Sequence, residues 1–223
     1  MTFHEYFGNW EKVIDQKELY SVLDKVNVLY SEQSVMPAYE DIFRAFNICP
    51  YDELKVVFIG QDPYPQKGVA TGILFGNKEN TTVLSPSLKV VEEACIDYTK
   101  PHRNISFDIT LESWAKQGIL MLNAALTVKQ DMPNSHTMLW RPFISKLLRN
   151  LSIHESGIVY VLFGTQAQTF APYINASFNH IFKVKHPAYY ARINESMPSE
   201  LFIEISKLIE GKYGKPIEWY KEL

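Results

Sequence analysis

The chain has 223 residues, 46% hydrophobic and 21% charged. That is too apolar for a disordered chain and long enough for one domain, spanning residues 1–223, with a packed core. No apolar run approaches the ~20 residues of a membrane span, and residues 1–15 lack the basic start and apolar stretch of a secretory signal. The formal net charge of −3 argues mildly against a strong non-specific nucleic-acid binder, although the field in a local groove outweighs the sum. Any DNA contact is therefore expected to rest on few phosphates and to show a shallow salt dependence.

In chain order, Leu19, Val22, Leu23, Val26 and Tyr30 fall on one face of a helix. Lys55–Gly60 is short, rich in β-branched residues and closed by glycine, the pattern of a buried strand. A helix follows with Ser85 as candidate N-cap and Pro86 at its first position; Leu88, Val91, Cys95 and Tyr98 form its apolar face. Three further buried strands are read at Ile119–Leu122, Ile158–Phe163 and Ile181–Val184. Helices are expected over Trp140–Leu151, after Gly164-Thr165, and from near Pro198 to a stop at Gly211, the last presenting Leu201, Phe202, Ile205 and Leu208. Cys49 and Cys95 are far apart in sequence, have no metal-like spacing and read as buried reduced thiols of an intracellular protein. Strands alternating with helices predict an α/β fold, a four-stranded parallel sheet flanked by helices.

Parallel sheets bind ligands beyond the carboxyl ends of their strands, so the residues after each strand matter most. The first strand runs into Gly60-Gln-Asp-Pro-Tyr-Pro65, where a carboxylate, an amide and an aromatic share a loop stiffened by two prolines. A lone Asp-Pro would be a turn whose Asp caps an amide; the company Asp62 keeps favours a site. Asn123 ends the second strand. It either ties a turn or reads a nucleobase with one acceptor and two donors in a plane. Gly164-Thr165 opens a helix whose amides suit an anion, a weak signal on its own. His186 follows the fourth strand; a single histidine is more often structural, but its place at the ligand edge favours function. No nucleotide-binding glycine motif, zinc motif or nucleophile elbow is present, so no metal or cofactor is expected.

These residues resemble the family-1 uracil-DNA glycosylases. The resemblance covers most of the chain, in the family's order. Pro37–Phe46 with Lys55–Tyr64 resembles the segment leading into the family's water-activating loop. Thr71–Phe75 is similar to its base-stacking segment, and Ser85–Leu88 to the end of its proline-rich DNA loop. Gly118–Val128, followed by Ser135-His136 and Trp140, resembles its uracil-reading strand. Val161–Gln168 and His186-Pro187 complete the series. The resemblance implies excision of uracil from DNA by hydrolysis of its N-glycosidic bond. It implies catalytic roles for Asp62 near the anomeric carbon and His186 as donor to uracil O2. Gln61, Tyr64, Phe75 and Asn123 would bind the base, Tyr64 filling the space of a thymine methyl and Phe75 stacking. Ser87, Gly164, Thr165 and Tyr190 would contact DNA. Single- or double-stranded uracil-containing DNA is the implied partner. A protein inhibitor of the uracil-DNA glycosylase type is another. The expected form is a monomer without cofactor or membrane, in the cytoplasm, or in the nucleus for a eukaryotic or viral source.

Two departures qualify the match. Pro65 replaces a histidine, as in the poxvirus branch, removing one polar contact. The last motif reads His186-Pro-Ala-Tyr-Tyr190, so Ala188 lacks the phosphate-pinching hydroxyl and Tyr190 takes the place of an intercalating leucine; an aromatic wedge can unstack bases, and that reading is favoured over a loop residue packed on the surface. These departures, with the acidic balance, leave room for a non-catalytic DNA-binding or complex-forming module that kept the fold. Intact Asp62, Asn123 and His186 weigh against it. A glycosylase for another lesion, such as hypoxanthine, is opposed by the small pyrimidine pocket that Asn123 and Tyr64 imply. Whether Lys67, Lys129, Lys185 and Arg192 form a basic rim is not legible.

Overall fold

A computed structural model describes residues 2–96 and 104–223. Strands β1 (Val56–Gly60), β2 (Ile119–Asn123), β3 (Val159–Phe163) and β4 (His180–Val184) form one parallel sheet in the order β2-β1-β3-β4. Successive side chains of a strand point to opposite faces, and this period splits the sheet into two cores. Val57, Ile59, Leu120, Leu122, Tyr160 and Leu162 face one core. Val56, Phe58, Ile119, Met121, Val159, Val161 and Phe163 face the other. Helices α1 (Gln16–Glu32) and α3 (Thr137–His154) cover the first through Leu19, Val22 and Val26 and through Trp140, Phe143 and Leu147. Helices α2 (Pro86–Cys95) and α6 (Glu200–Tyr213) cover the second through Leu88 and Val91 and through Phe202 and Ile205. The short helices α4 (Gly164–Gln168) and α5 (Pro187–Ile193) follow β3 and β4 directly. Because both faces are covered, β1, β2 and β3 are buried at every position, which is why each is an apolar run, broken in β2 only by Asn123 at its end.

The expected α/β architecture is present, with differences at its margins. β4 is an edge strand with one neighbour, and His180 and Lys183 are exposed; it is only half buried, not a fully buried strand. α6 runs past Gly211 and ends at Gly214, which adopts φ +74 and donates its amide to the Glu210 carbonyl. A C-terminal cap needs that left-handed residue, whereas Gly211 keeps a helical backbone. α3 begins three residues before Trp140 and carries Pro142 inside it. Tyr98 lies outside the described residues. Both cysteines are free and buried. Among the described residues no helix is long and apolar enough to cross a membrane, and no group of three or more His, Cys, Asp or Glu side chains could hold a metal ion.

Candidate active site

Register brings the strand ends together. Gly60 pairs with Asn123, and Phe163 with Val184. Past its last pair the β1–β2 ladder continues, Ala124 N–H donating to the Gly60 carbonyl and Ala125 N–H to that of Gln61, each at 3.1 Å. Asp62 is therefore held beside Asn123. A Cβ at 60 would meet Leu74 Cδ1 at 2.2 Å and Asn123 Oδ1 at 3.2 Å, so any side chain there would have to displace Leu74. On the other side of the sheet, Gly164 takes φ +83, and a Cβ would stand 3.0 Å from His186 Cβ. The two small residues let the Asn123 and His186 segments close on one point.

At that point Asp62, Pro63, Tyr64, Asn123, His186 and the Ala70–Phe75 segment line a narrow recess of about 30 Å³, roomy enough for ordered water. Three sequence-predicted groups from three strand-end loops thus converge. A larger groove of about 700 Å³ shares Thr71 and Ile73 with it. Four of its charged side chains pair with one another: Arg44 meets Glu112 at 2.5 Å and Asp41 at 3.4 Å, and Lys116 meets Glu112 at 3.3 Å. It offers no comparable catalytic set.

Asp62 accepts the Asn134 amide on Oδ2 at 2.6 Å, while its Oδ1 is buried without a partner. Burial raises the carboxyl above its ordinary pKa, against the opposing pull of that amide. Asn134 reaches this position with φ +67, a conformation asparagine tolerates better than most residues. The side chain of Gln61 donates to Asn134 Oδ1 at 2.7 Å and is not among the groups lining the recess. Asn123 is 7% exposed, and its Oδ1 is also buried and unpaired. Buried polar atoms are nearly always paired, so two orphaned oxygens in one recess mark a place prepared for something else.

His186 caps α5: its Nδ1 accepts the Ala188 amide at 3.1 Å. An accepting Nδ1 places the ring proton on Nε2. Burial lowers the imidazole pKa to about 4, so the ring is neutral at pH 7 and a donor through Nε2. Phe75 packs edge-on against His186 at 5.4 Å and against Phe163 at 5.2 Å. Its φ of +64 costs a bulky residue about 1–3 kcal/mol, a strain these ring contacts and the Gly76 N–H to Ile73 carbonyl bond hold in place.

Tyr64 is clamped. Its hydroxyl receives the Ser85 hydroxyl at 2.6 Å and donates to the Phe75 carbonyl at 3.3 Å. Burial pushes its pKa up to about 12. Ser85 occupies the N-cap position of α2, as expected, but makes no side-chain cap bond; its oxygen serves Tyr64 and Asn77 instead. Ser87 is buried at 6% exposure. Thr165 is exposed on α4. Tyr190 is half-buried, packed on the core beneath α5 and edge-on to Tyr189 at 5.4 Å. Lys185 and Arg192 lie 4.2 and 5.8 Å from the Tyr189 ring centroid, so this part of the rim does gather two cations. His136 stays outside the recess: it is 4% exposed and bonds Thr127 Oγ1 at 2.9 Å. Sequence reading missed Asn77, Ser85 as a tyrosine clamp, and Asn134; polar residues flanking the loops were the only signal available.

Residues 46–209 match the model of the Uracil DNA glycosylase superfamily. The chain is 32% identical to a uracil-DNA glycosylase of Mesomycoplasma hyopneumoniae, over 98% of this chain and 97% of the relative. It is 31% identical to one of Escherichia fergusonii, over 94% and 93%. Its fold is similar to that of a mimivirus UNG variant crystallised in complex with UGI, at a TM-score of 0.82 and 24% identity over 96% of this chain and 87% of the other. A Nitratifractor salsuginis UNG gives a TM-score of 0.60 and 20% identity over 90% and 88%. The chain belongs to the uracil DNA glycosylase superfamily.

Proposed function

We propose that the recess takes up a uracil flipped out of DNA and that the chain hydrolyses the bond between base and deoxyribose. The observation that carries this reading is the convergence of an acid, an amide and an imidazole from three loops on one recess, with unpaired oxygens on the first two. Flipping costs roughly a few kcal/mol, and stacking on Phe75 recovers about 1–3 kcal/mol. Asn123 accepts from uracil N3–H and donates to O4; cytosine reverses both and leaves buried groups mismatched at about 1–3 kcal/mol each. Tyr64, held by Ser85 and the Phe75 carbonyl, denies room for the methyl of thymine.

In the bond-breaking step the C1′–N1 electron pair stays on the base, giving an oxocarbenium-like sugar and a uracil anion. Ionised Asp62 stabilises the cation and orients the water that adds to C1′; the proton shed by that water ends on the departing base. Neutral His186 donates through Nε2 to uracil O2 as charge builds there. Ser87, Gly164 and Thr165 are proposed to contact DNA backbone, and Tyr190 to fill the gap left by the base, which requires its ring to leave the core contact it makes in the free protein. The complex of a mimivirus relative with UGI supports a protein inhibitor of that type as a partner. The free, buried thiols support an intracellular site of action.

Release of free uracil from a labelled oligonucleotide tests the reading. Asp62→Asn should lose most of that release while keeping DNA affinity. Retention of full activity would refute the role of Asp62, and an inactive wild type would leave a non-catalytic DNA-binding module.

A further inference from the structure

We propose that Thr137 is a positioning residue for this reaction, its hydroxyl orienting Asp62 and stabilising the charged carboxylate. The inference rests on the reading of Asp62 as the catalytic carboxylate. Two oxygens on neighbouring segments are buried without partners. One is Asp62 Oδ1, an acceptor when ionised; the other is Thr137 Oγ1, which carries a rotatable proton. Thr137 opens α3, where a hydroxyl ordinarily turns to the backbone, yet this one bonds no backbone group.

The local frame explains how it arrives there. Gln61 and the Asn134 amide tie the Asp62 loop to the turn at 131–134, and Pro65 does the same by accepting the Asp131 amide at 3.0 Å. His136, pinned to Thr127, anchors the start of α3 from behind. Thr137 follows directly and acts on Asp62 in the direction that favours its ionised form. Desolvation pushes the other way, and no charged side chain among the described residues bears on Asp62. The titratable groups lining the same recess, Tyr64 and His186, are both neutral at pH 7; Asp131 lies on the adjoining turn. A hydroxyl is thus one of the few groups left to hold the charge. Pro65, on the same loop, has no polar side chain to share that load.

The test compares the wild type with Thr137→Val, which keeps the shape and removes the hydroxyl, and Thr137→Ser, which keeps the hydroxyl. Two readouts are taken: the pH profile of kcat for uracil release from single-stranded oligonucleotide, and the ¹³C carboxyl titration of Asp62 in the free protein. With Thr137→Val, the acid limb and the carboxyl titration should both move up by about one pH unit, the size expected for one hydrogen bond to a charged group. Thr137→Ser should restore both. An unchanged titration in Thr137→Val, or a Thr137→Ser profile that follows Thr137→Val, overturns the proposal. The titration decides the matter even if the wild type releases no uracil, which would refute the function and not the contact.

Discussion

Two groups of polar side chains stand near the same end of the sheet, and they are built in opposite ways. In the first, Thr127 Oγ1 receives Trp140 Nε1–H at 2.7 Å and bonds His136 Nδ1 at 2.9 Å, and Gln33 lies 3.4 Å from His136 Nε2. Thr127, His136 and Trp140 are almost wholly buried, and their polar atoms are paired. In the second, Asp62 and Asn123 each leave an oxygen buried and unpaired around a recess. A satisfied buried network rigidifies a fold, whereas an unsatisfied one costs stability. Orphaned oxygens also occur on Ser145 and Tyr160, but neither lines the recess. What distinguishes the site is two such groups lining one recess, with a histidine whose free nitrogen is a donor.

The two histidines should respond to truncation in opposite ways. His186→Ala should lower the rate of uracil release by about 10²–10³-fold, the usual loss for one preorganised donor, with the protein still folded. His136→Ala should do the reverse and mainly lower thermal stability. Single-turnover uracil release and thermal melting on both variants would decide it; a larger rate loss from His136→Ala would invert the assignment.

A smaller effect is expected from Thr127→Val. It leaves Trp140 Nε1–H and His136 Nδ1 without their shared partner, at about 1–3 kcal/mol for each buried group. In a chain of this length each kcal/mol corresponds to roughly 2–4 °C in Tm. Calorimetry should therefore show a clear fall in Tm, with kcat/KM for folded enzyme little changed. Smaller still is the effect of Asn77→Ala. It removes a partner of Ser85 and so loosens the clamp on Tyr64. Discrimination of uracil from thymine should weaken several-fold, read as the ratio of kcat/KM on matched oligonucleotides. An unaltered ratio would mean that the Ser85–Tyr64 bond holds without Asn77.

Much of this was legible in the residues, for a physical reason. A strand buried on both faces must be apolar throughout, and β1, β2 and β3 announce themselves that way. The residues that follow the strands of a parallel sheet lie at its ligand edge, so the places of Asp62 and His186 were legible in the sequence. The edge strand β4 was read too generously because Lys183 interrupts its apolar run. The end of α6 was misplaced because a glycine caps a helix only when its φ turns positive, and Gly211 and Gly214 look alike in sequence. The clamp on Tyr64 was invisible because Ser85 fits an N-cap and serves a tyrosine 21 residues earlier. Asn134 was invisible because it acts through its backbone amide, which every residue but proline has. Contacts made by backbone, or by a side chain diverted from its local role, leave no pattern in spacing.

The least perturbing variant tests whether the recess is paid for in stability. The folded-state pKa of Asp62 lies above its ordinary value because burial disfavours the charge. Between the unfolded and folded pKa values the folded state holds the proton more tightly, so stability falls as pH rises through that window. The deficit is complete at neutral pH and vanishes below the window. Asp62→Asn removes the charge, keeps an acceptor for the Asn134 amide and sets an amide N–H beside the unpaired Thr137 oxygen. At pH 7 its Tm should exceed that of the wild type. The gap should close as the pH is lowered through the carboxyl titration, even though uracil release has collapsed. A gap that ignores pH, or a variant less stable at pH 7, would show that the carboxylate is better solvated than its place in the recess implies.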